Sequence, residues 1–176
     1  TARGPYTFVE SFRPNGQMSR DQTLFVDDDG KAYQFAASEE NQTMRINELS
    51  SDYLKTTGRS TRIFVGRSWE APAVFKHQGR YYIVGSGCTG WDPNAARQAV
   101  ADRIMGPWTE RDNPAVGDDA DVTFRSQASY VLEVGRGSGH FIYIGDRWNP
   151  DNLADSRYIW LPLDFERDQF RMRSVS

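Results

Sequence analysis

Ala73-Val74-Phe75-Lys76-His77-Gln78-Gly79-Arg80-Tyr81-Tyr82-Ile83-Val84 is two apolar, β-branched and aromatic runs around a polar turn that holds one glycine. Such runs suit the pleated surface of a strand, and glycine supplies the positive φ that a tight hairpin turn needs. The same design recurs upstream in Thr23-Leu24-Phe25-Val26-Asp27-Asp28-Asp29-Gly30-Lys31-Ala32-Tyr33-Gln34-Phe35. It recurs downstream from Tyr130-Val131-Leu132-Glu133-Val134 through Gly139 to His140-Phe141-Ile142-Tyr143-Ile144. A more polar strand follows each hairpin: Thr43-Met44-Arg45-Ile46, Arg97-Gln98-Ala99-Val100-Ala101 and Arg157-Tyr158-Ile159-Trp160-Leu161. A fourth short element comes next, marked by Tyr53, Trp108 and Phe170.

Four strands repeated at a period of about 50 residues is the layout of a β-propeller blade. The fold class expected is therefore all-β, with four-stranded antiparallel blades. The inner strands should be nearly all apolar because they pack between blades, whereas the outer strands can alternate toward water. Gly4-Pro5-Tyr6-Thr7 repeats Gly106-Pro107-Trp108-Thr109, which lies at the outermost strand of a repeat. Residues 1–17 thus read as the last strand of a preceding blade, with whole blades at 18–65, 66–124 and 125–176. Three blades do not close a ring, since propellers usually carry about four to eight. The expectation is a partial propeller, completed by a missing N-terminal segment or by self-association.

Composition narrows the function. The chain is 38% hydrophobic and 26% charged, which is globular rather than disordered. Lys and Arg number 21 against 24 Asp and Glu, a balance that argues against phosphate neutralisation and hence against nucleic acid as partner. No apolar run is long enough for a membrane helix, and the first residues do not have the layout of a signal peptide. One cysteine, Cys88, excludes a disulfide framework, and two histidines make a zinc site a poor reading. Asp27-Asp28-Asp29-Gly30 resembles part of a calcium loop without its closing Glu, so a hairpin turn is the better reading and calcium is not indicated. No cofactor is called for. Cys88 reads as a buried or partly buried thiol, and Asn41-Gln42-Thr43 is a glycosylation sequon.

The residue that starts each innermost strand of a propeller faces the central axis. Counting back from the turns gives Asp21, Glu70 and Gln127 at equivalent places in three successive repeats. Polar groups at all three either cap strand ends and hold channel water, or form a site. Two carboxyl groups facing one pocket are what glycoside hydrolysis needs. Glu70, flanked by Trp69, Ala71 and Pro72, should be poorly solvated, which raises its pKa and suits a general acid. A negative Asp21 would raise it further. Trp91 and Trp148 lie in loops rich in Gly, Asn and Pro and offer faces for sugar stacking, and Thr89, Asp146 and Asn149 could bond hydroxyls. The alternative is that Trp148 and Trp160 are inter-blade core and that the loop polars form turns.

Several of these stretches resemble glycoside hydrolase family 43. Ser19-Arg20-Asp21-Gln22-Thr23-Leu24-Phe25-Val26-Asp27-Asp28-Asp29-Gly30-Lys31-Ala32-Tyr33 is similar to that family's second-blade signature. Trp69-Glu70-Ala71-Pro72-Ala73-Val74-Phe75-Lys76 resembles its acid-bearing strand. Ser86-Gly87-Cys88-Thr89-Gly90-Trp91-Asp92-Pro93-Asn94 and Gly145-Asp146-Arg147-Trp148-Asn149-Pro150 resemble its exo-β-1,3-galactanase branch. The resemblance implies a five-bladed propeller and an inverting glycosidase acting on β-1,3-galactan outside the cell or in the periplasm. It implies Glu70 as general acid, Asp21 as the carboxylate that tunes and orients it, and Gln127 in place of the usual base or as a water-positioning group. Arabinofuranosidase or xylosidase activity, and a catalytically silent glycan-binding partial propeller, are the other readings.

Overall fold

The computed structural model describes residues 1–174, which form three β-sheets in succession. The first holds β1 (Gln22–Val26), β2 (Ala32–Ser38), β3 (Thr43–Leu49) and β4 (Thr56–Ile63). The middle sheet holds β5 (Glu70–His77), β6 (Arg80–Ser86), β7 (Arg97–Ala101) and β8 (Thr109–Arg111). In both, spatial order follows chain order and every pairing is antiparallel. The third sheet runs β10 (Gln127–Glu133), β11 (Phe141–Arg147), β12 (Arg157–Glu166) and β13 (Gln169–Arg173). It ends on a two-residue strand, β9 (Ala115–Val116), which joins β13 in parallel. The three hairpins read from the sequence are β1–β2, β5–β6 and β10–β11, and the all-β class holds. β9 was not anticipated, because two residues carry no periodicity. Tyr53 and Trp108 fall just before β4 and β8 rather than within them, whereas Phe170 lies in β13 and is fully buried.

The alternation along each strand decides which sheet faces which. Val74, Tyr81, Ile83 and Ala99 of the middle sheet pack with Tyr33, Phe35, Met44 and Ile46 of the first. Phe75, Tyr82, Val84 and Val100 point the other way, against Phe141, Tyr143, Leu161 and Phe170 of the third. The middle sheet is therefore buried on both faces, which is why Tyr81-Tyr82-Ile83-Val84 reads as an unbroken apolar run. Gln98 is the polar exception on β7. Its amide donates to the carbonyl of Phe170 at 3.2 Å and accepts from that residue's N–H at 3.1 Å, stapling the middle sheet to the third. The outer face of the third sheet leaves Tyr130, Leu132, Tyr158 and Trp160 exposed, a row of apolar side chains large enough to mark a contact surface.

Residues 1–6 copy the turn that leads into β8. The Gly4 N–H donates to the Thr1 carbonyl at 2.9 Å, and the Gly106 N–H donates to the Arg103 carbonyl at 2.8 Å. The Tyr6 hydroxyl reaches back to the Ala2 carbonyl as the Trp108 indole N–H does to Ile104. Thr7–Arg13 then pair with no strand among the described residues. The 125–176 repeat ends on residues 175 and 176, which lie outside the described residues.

Candidate active site

Asp21, Glu70 and Gln127 stand at the starts of the three first strands, β1, β5 and β10, which lie side by side. The structure brings them together. The backbone N–H of Ala71 donates to Asp21 Oδ2 at 3.2 Å, so Asp21 holds the residue that follows Glu70. The Gln127 amide donates through Nε2 to Glu70 Oε1 at 3.2 Å and to Ser86 Oγ at 3.0 Å. Its oxygen accepts from the Trp148 indole at 3.3 Å.

Local irregularity aims these side chains. The β5–β6 register shifts between Glu70 and Ala73, and Ala71 carries φ 50° there, a left-handed conformation that costs an L-residue energy. Pro72 lies within the shift, where a missing N–H breaks no ladder bond. A second shift falls between Ala128 and Tyr130, just after Gln127. Bulges of this kind turn a strand end and re-aim the adjoining side chain. Gly85 lets β6 close on this point, since a Cβ there would come within 2.7 Å of the Glu70 carbonyl. Trp69 is wholly buried, stacked on Phe64 at 4.1 Å, and anchors the chain one residue before the acid.

Burial pushes the Glu70 carboxyl above the usual carboxylate range. The charge of Asp21 adds to this, while hydrogen bonds from Cys88 and Gln127 and the charge of Arg20 pull the other way. The net is a carboxyl that keeps its proton to higher pH, as a general acid requires. Gln127 touches Glu70 directly, closer than the roughly 6.5–9.5 Å that inverting carboxyl pairs keep for a water.

A hollow of about 250 Å³ opens beside Gln127, lined by Ser86, Trp91, Asn94, Arg125 and Trp148. Trp91 and Trp148 meet edge to face at 5.5 Å, and both are about half exposed, so neither is core. Trp160 is exposed as well. The Thr89 hydroxyl is spent inside its own loop, donating to the Asp92 carbonyl and accepting from Asn94. The Asn149 backbone N–H, not its side-chain amide, donates to Ser156 Oγ at 3.1 Å. Asp146 sits across the β10–β11 ladder from Gln127, with burial raising its pKa. Cys88 is exposed as a residue, since the chain leaves β6 at Ser86, while its thiol is partly buried. Its thiol faces Glu70, whose charge together with burial pushes the thiol pKa up.

Two neighbours of the acid were not read from the sequence. Ser86 gave no signal. Asn41, noted only for its sequon, donates to Glu70 Oε2 at 3.1 Å.

The model of the glycosyl hydrolases family 43 matches residues 1–150. The chain belongs to that family. Among solved structures, a family 43 β-1,3-galactosidase determined with galactodeoxynojirimycin is 52% identical over 91% of this chain, with a TM-score of 0.88. An exo-β-1,3-galactanase from Clostridium thermocellum is 36% identical over 96%, with a TM-score of 0.86. One from Phanerochaete chrysosporium, solved with β-1,3-galactotriose, is 37% identical over 98%, with a TM-score of 0.87. The family 43 chain described here spans 46%, 39% and 39% of those three proteins. No curated protein matches it.

Proposed function

We propose that this chain carries the acid-bearing part of an inverting glycosidase that releases galactose from the end of β-1,3-linked galactan. The observation that carries the reading is Glu70: a half-buried carboxyl with raised pKa beside Asp21 and Gln127, next to a hollow framed by two exposed tryptophans. Similarity to proteins named as β-1,3-galactosidase and exo-β-1,3-galactanase supports the choice of sugar.

In this reading Glu70 gives its proton to the glycosidic oxygen as the bond to the anomeric carbon breaks. Water adds to that carbon from the opposite face and loses a proton to solvent, and solvent reprotonates Glu70. Asp21 holds the Ala71 backbone and keeps the acid's pKa high. Gln127 exchanges its bond to Glu70 for one to the incoming water, parting the two groups as the sugar enters. Trp91 and Trp148 take the apolar face of the sugar, and Asp146 bonds a hydroxyl. Thr89 and Asn149 hold the loops that present them.

The three sheets are read as successive blades of a five-bladed propeller, with residues 1–17 the outer strand of a preceding blade. The matching geometry at Tyr6 and Trp108 supports that register. The exposed Tyr130, Leu132, Tyr158 and Trp160 support a further blade over the third sheet, supplied by the rest of the protein or by a second copy. The family assignment supports a secreted or periplasmic setting.

The test is hydrolysis of β-1,3-galactobiose, with the first-formed anomer read by proton NMR. Release of α-galactose, lost in Glu70→Gln, is the expected result. Release of β-galactose would overturn inversion, and binding without product would leave a glycan-binding module instead. Turnover of arabinofuranosides or xylosides with no galactobiose cleavage would move the substrate within the family.

A further inference from the structure

Asn41 lies in the turn between β2 and β3, where Glu39, Glu40 and Asn41 all carry positive φ (53°, 55° and 64°). Asparagine tolerates that region better than most residues. The turn is fixed by Glu39, whose carboxylate accepts from Thr43 at 2.9 Å, from Arg45 at 3.0 Å and from Arg62. From this anchored position Asn41 Nδ2 donates to Glu70 Oε2 at 3.1 Å, while Gln127 donates to Oε1. The other atom of the Asn41 amide, Oδ1, is buried and has no hydrogen-bond partner among the described residues. A buried acceptor left empty is costly, so the side chain is held there for what its nitrogen does.

We propose that Asn41 is a positioning residue for the acid: its amide occupies Oε2 of Glu70, so that the proton rides on Oε1, the oxygen beside Gln127 and Ser86. The proposal rests on the reading of Glu70 as general acid. An oxygen that accepts an N–H cannot carry the carboxyl proton along the same direction. The anchored turn holds the Asn41 amide at Oε2, with the Cys88 thiol as its other neighbour. The Gln127 amide has Ser86 Oγ as a second acceptor, so the bond on Oε1 is the one that yields when Glu70 is protonated. The other charged and titratable neighbours of Glu70 are Asp21 and Arg20 from the segment before β1 and Cys88 from the loop after β6. Of these, the Cys88 thiol also bonds the Glu70 carboxyl, while neither Asp21 nor Arg20 bonds Oε2 among the described residues. The sequon acquires a second meaning here, since a glycan on Nδ2 would replace one of its two hydrogens and wedge a sugar against the acid.

The experiment compares the full chain with Asn41→Ala, Asn41→Asp and Glu70→Gln. The Glu70 carboxyl is titrated by carbon-13 NMR, and turnover is measured on β-1,3-galactobiose and on 2,4-dinitrophenyl β-galactoside. The dinitrophenolate leaves without a proton, so its release does not need the acid. Loss of the amide donor in Asn41→Ala should move the Glu70 titration to higher pH, and the added negative charge in Asn41→Asp should move it further. Turnover of the disaccharide should fall about tenfold in Asn41→Ala, with little change on the dinitrophenyl sugar. An unchanged Glu70 titration in both Asn41 variants would overturn the proposal, whether or not either variant turns over. Equal losses on the two substrates would overturn it as well, since that pattern marks a merely structural role. The Glu70→Gln control separates the layers. If it spares the disaccharide, the acid reading fails and takes this proposal with it. If it loses only the disaccharide while Asn41→Ala behaves as wild type, Asn41 alone is refuted.

Discussion

β5 carries a charged group at each end, and the two ends treat charge in opposite ways. At the turn end, Lys76 Nζ lies 2.6 Å from Asp27 Oδ1 and 2.8 Å from Asp28 Oδ2, and the Tyr81 hydroxyl donates to Asp27 Oδ2 at 2.5 Å. Burial pushes Asp27 up, but its bonds to Lys76, Tyr81 and the Asp28 N–H outweigh that and hold it below the usual range. Burial would lower Lys76, yet the same carboxylates raise it. At the other end, Glu70 has no cation paired with it among the described residues, and Arg20 is engaged with Glu40. There burial wins, and the proton stays on longer. The Asp27 side chain is only 10% exposed. Burial alone therefore does not make an acid; burial without a counter-charge does. Cavity size is no guide either. A hollow of about 720 Å³ lies at the turn end by Lys76, His77, Glu133 and Arg136, larger than the one beside Gln127.

The sharpest way to break this contrast is to neutralise each end in turn. Glu70→Gln should cost about 10²–10⁴ in turnover of β-1,3-galactobiose, the usual worth of general acid catalysis, with the melting temperature unchanged. Lys76→Met should do the reverse. It strands Asp27, which is mostly buried, and should cost about 2 kcal/mol in urea unfolding, less than for a fully buried pair because Lys76 is 22% exposed. Turnover per folded molecule should stay within about twofold, since the two ends lie at opposite limits of an eight-residue strand. A stable but inactive Lys76→Met would erase the distinction between the ends.

Titration separates them further. As the proposed general acid, Glu70 works protonated, so turnover should fall as pH rises through its raised pKa. Asp21→Asn removes a negative neighbour and should move that alkaline limb to lower pH. Asp27 has the opposite sign. Its folded pKa is depressed, so its pairing stabilises the fold above the ordinary carboxylate pKa and is lost as pH falls through the lower folded value. The stability deficit of Lys76→Met should therefore shrink in acid, followed by denaturant melts from pH 7 downward. A deficit that grew in acid would contradict the assignment.

Much of this was legible in the chain, for identifiable reasons. The hairpins stand out because strands buried on both faces are written as apolar runs, and Tyr81-Tyr82-Ile83-Val84 is such a run. Counting back the same distance from Gly30 and Gly79 found Asp21 and Glu70, and Gln127 followed from the matching strand start ahead of the longer third turn. The Thr89 loop bonds were not legible, since whether a loop hydroxyl faces a ligand or its own backbone depends on loop geometry. Asn41 was hidden for the same reason. It acts across 29 residues of sequence, from a turn whose positive φ values leave no periodic trace. Pro72 was the missed clue. A proline inside an otherwise apolar strand marks a bulge, and the bulge is what aims Glu70.

The smallest effects should come from the two tryptophans beside Gln127, and they should differ in kind. Trp91 offers only a face, since its indole N–H bonds to nothing among the described residues, whereas Trp148 also donates to Gln127 Oε1. Trp91→Ala should raise KM about five- to tenfold with kcat kept, and Trp91→Phe should restore most of it, because stacking needs the ring and not the nitrogen. Trp148→Phe keeps a ring but frees the Gln127 oxygen, so its cost should appear in kcat, by about threefold, with KM little changed. Both side chains are about half exposed, so neither substitution should shift the melting temperature by more than about 2 °C. The opposite split, KM for Trp148 and kcat for Trp91, would mean that Gln127 is not held by the indole, and its part in placing water would have to be assigned to the Ser86 contact instead.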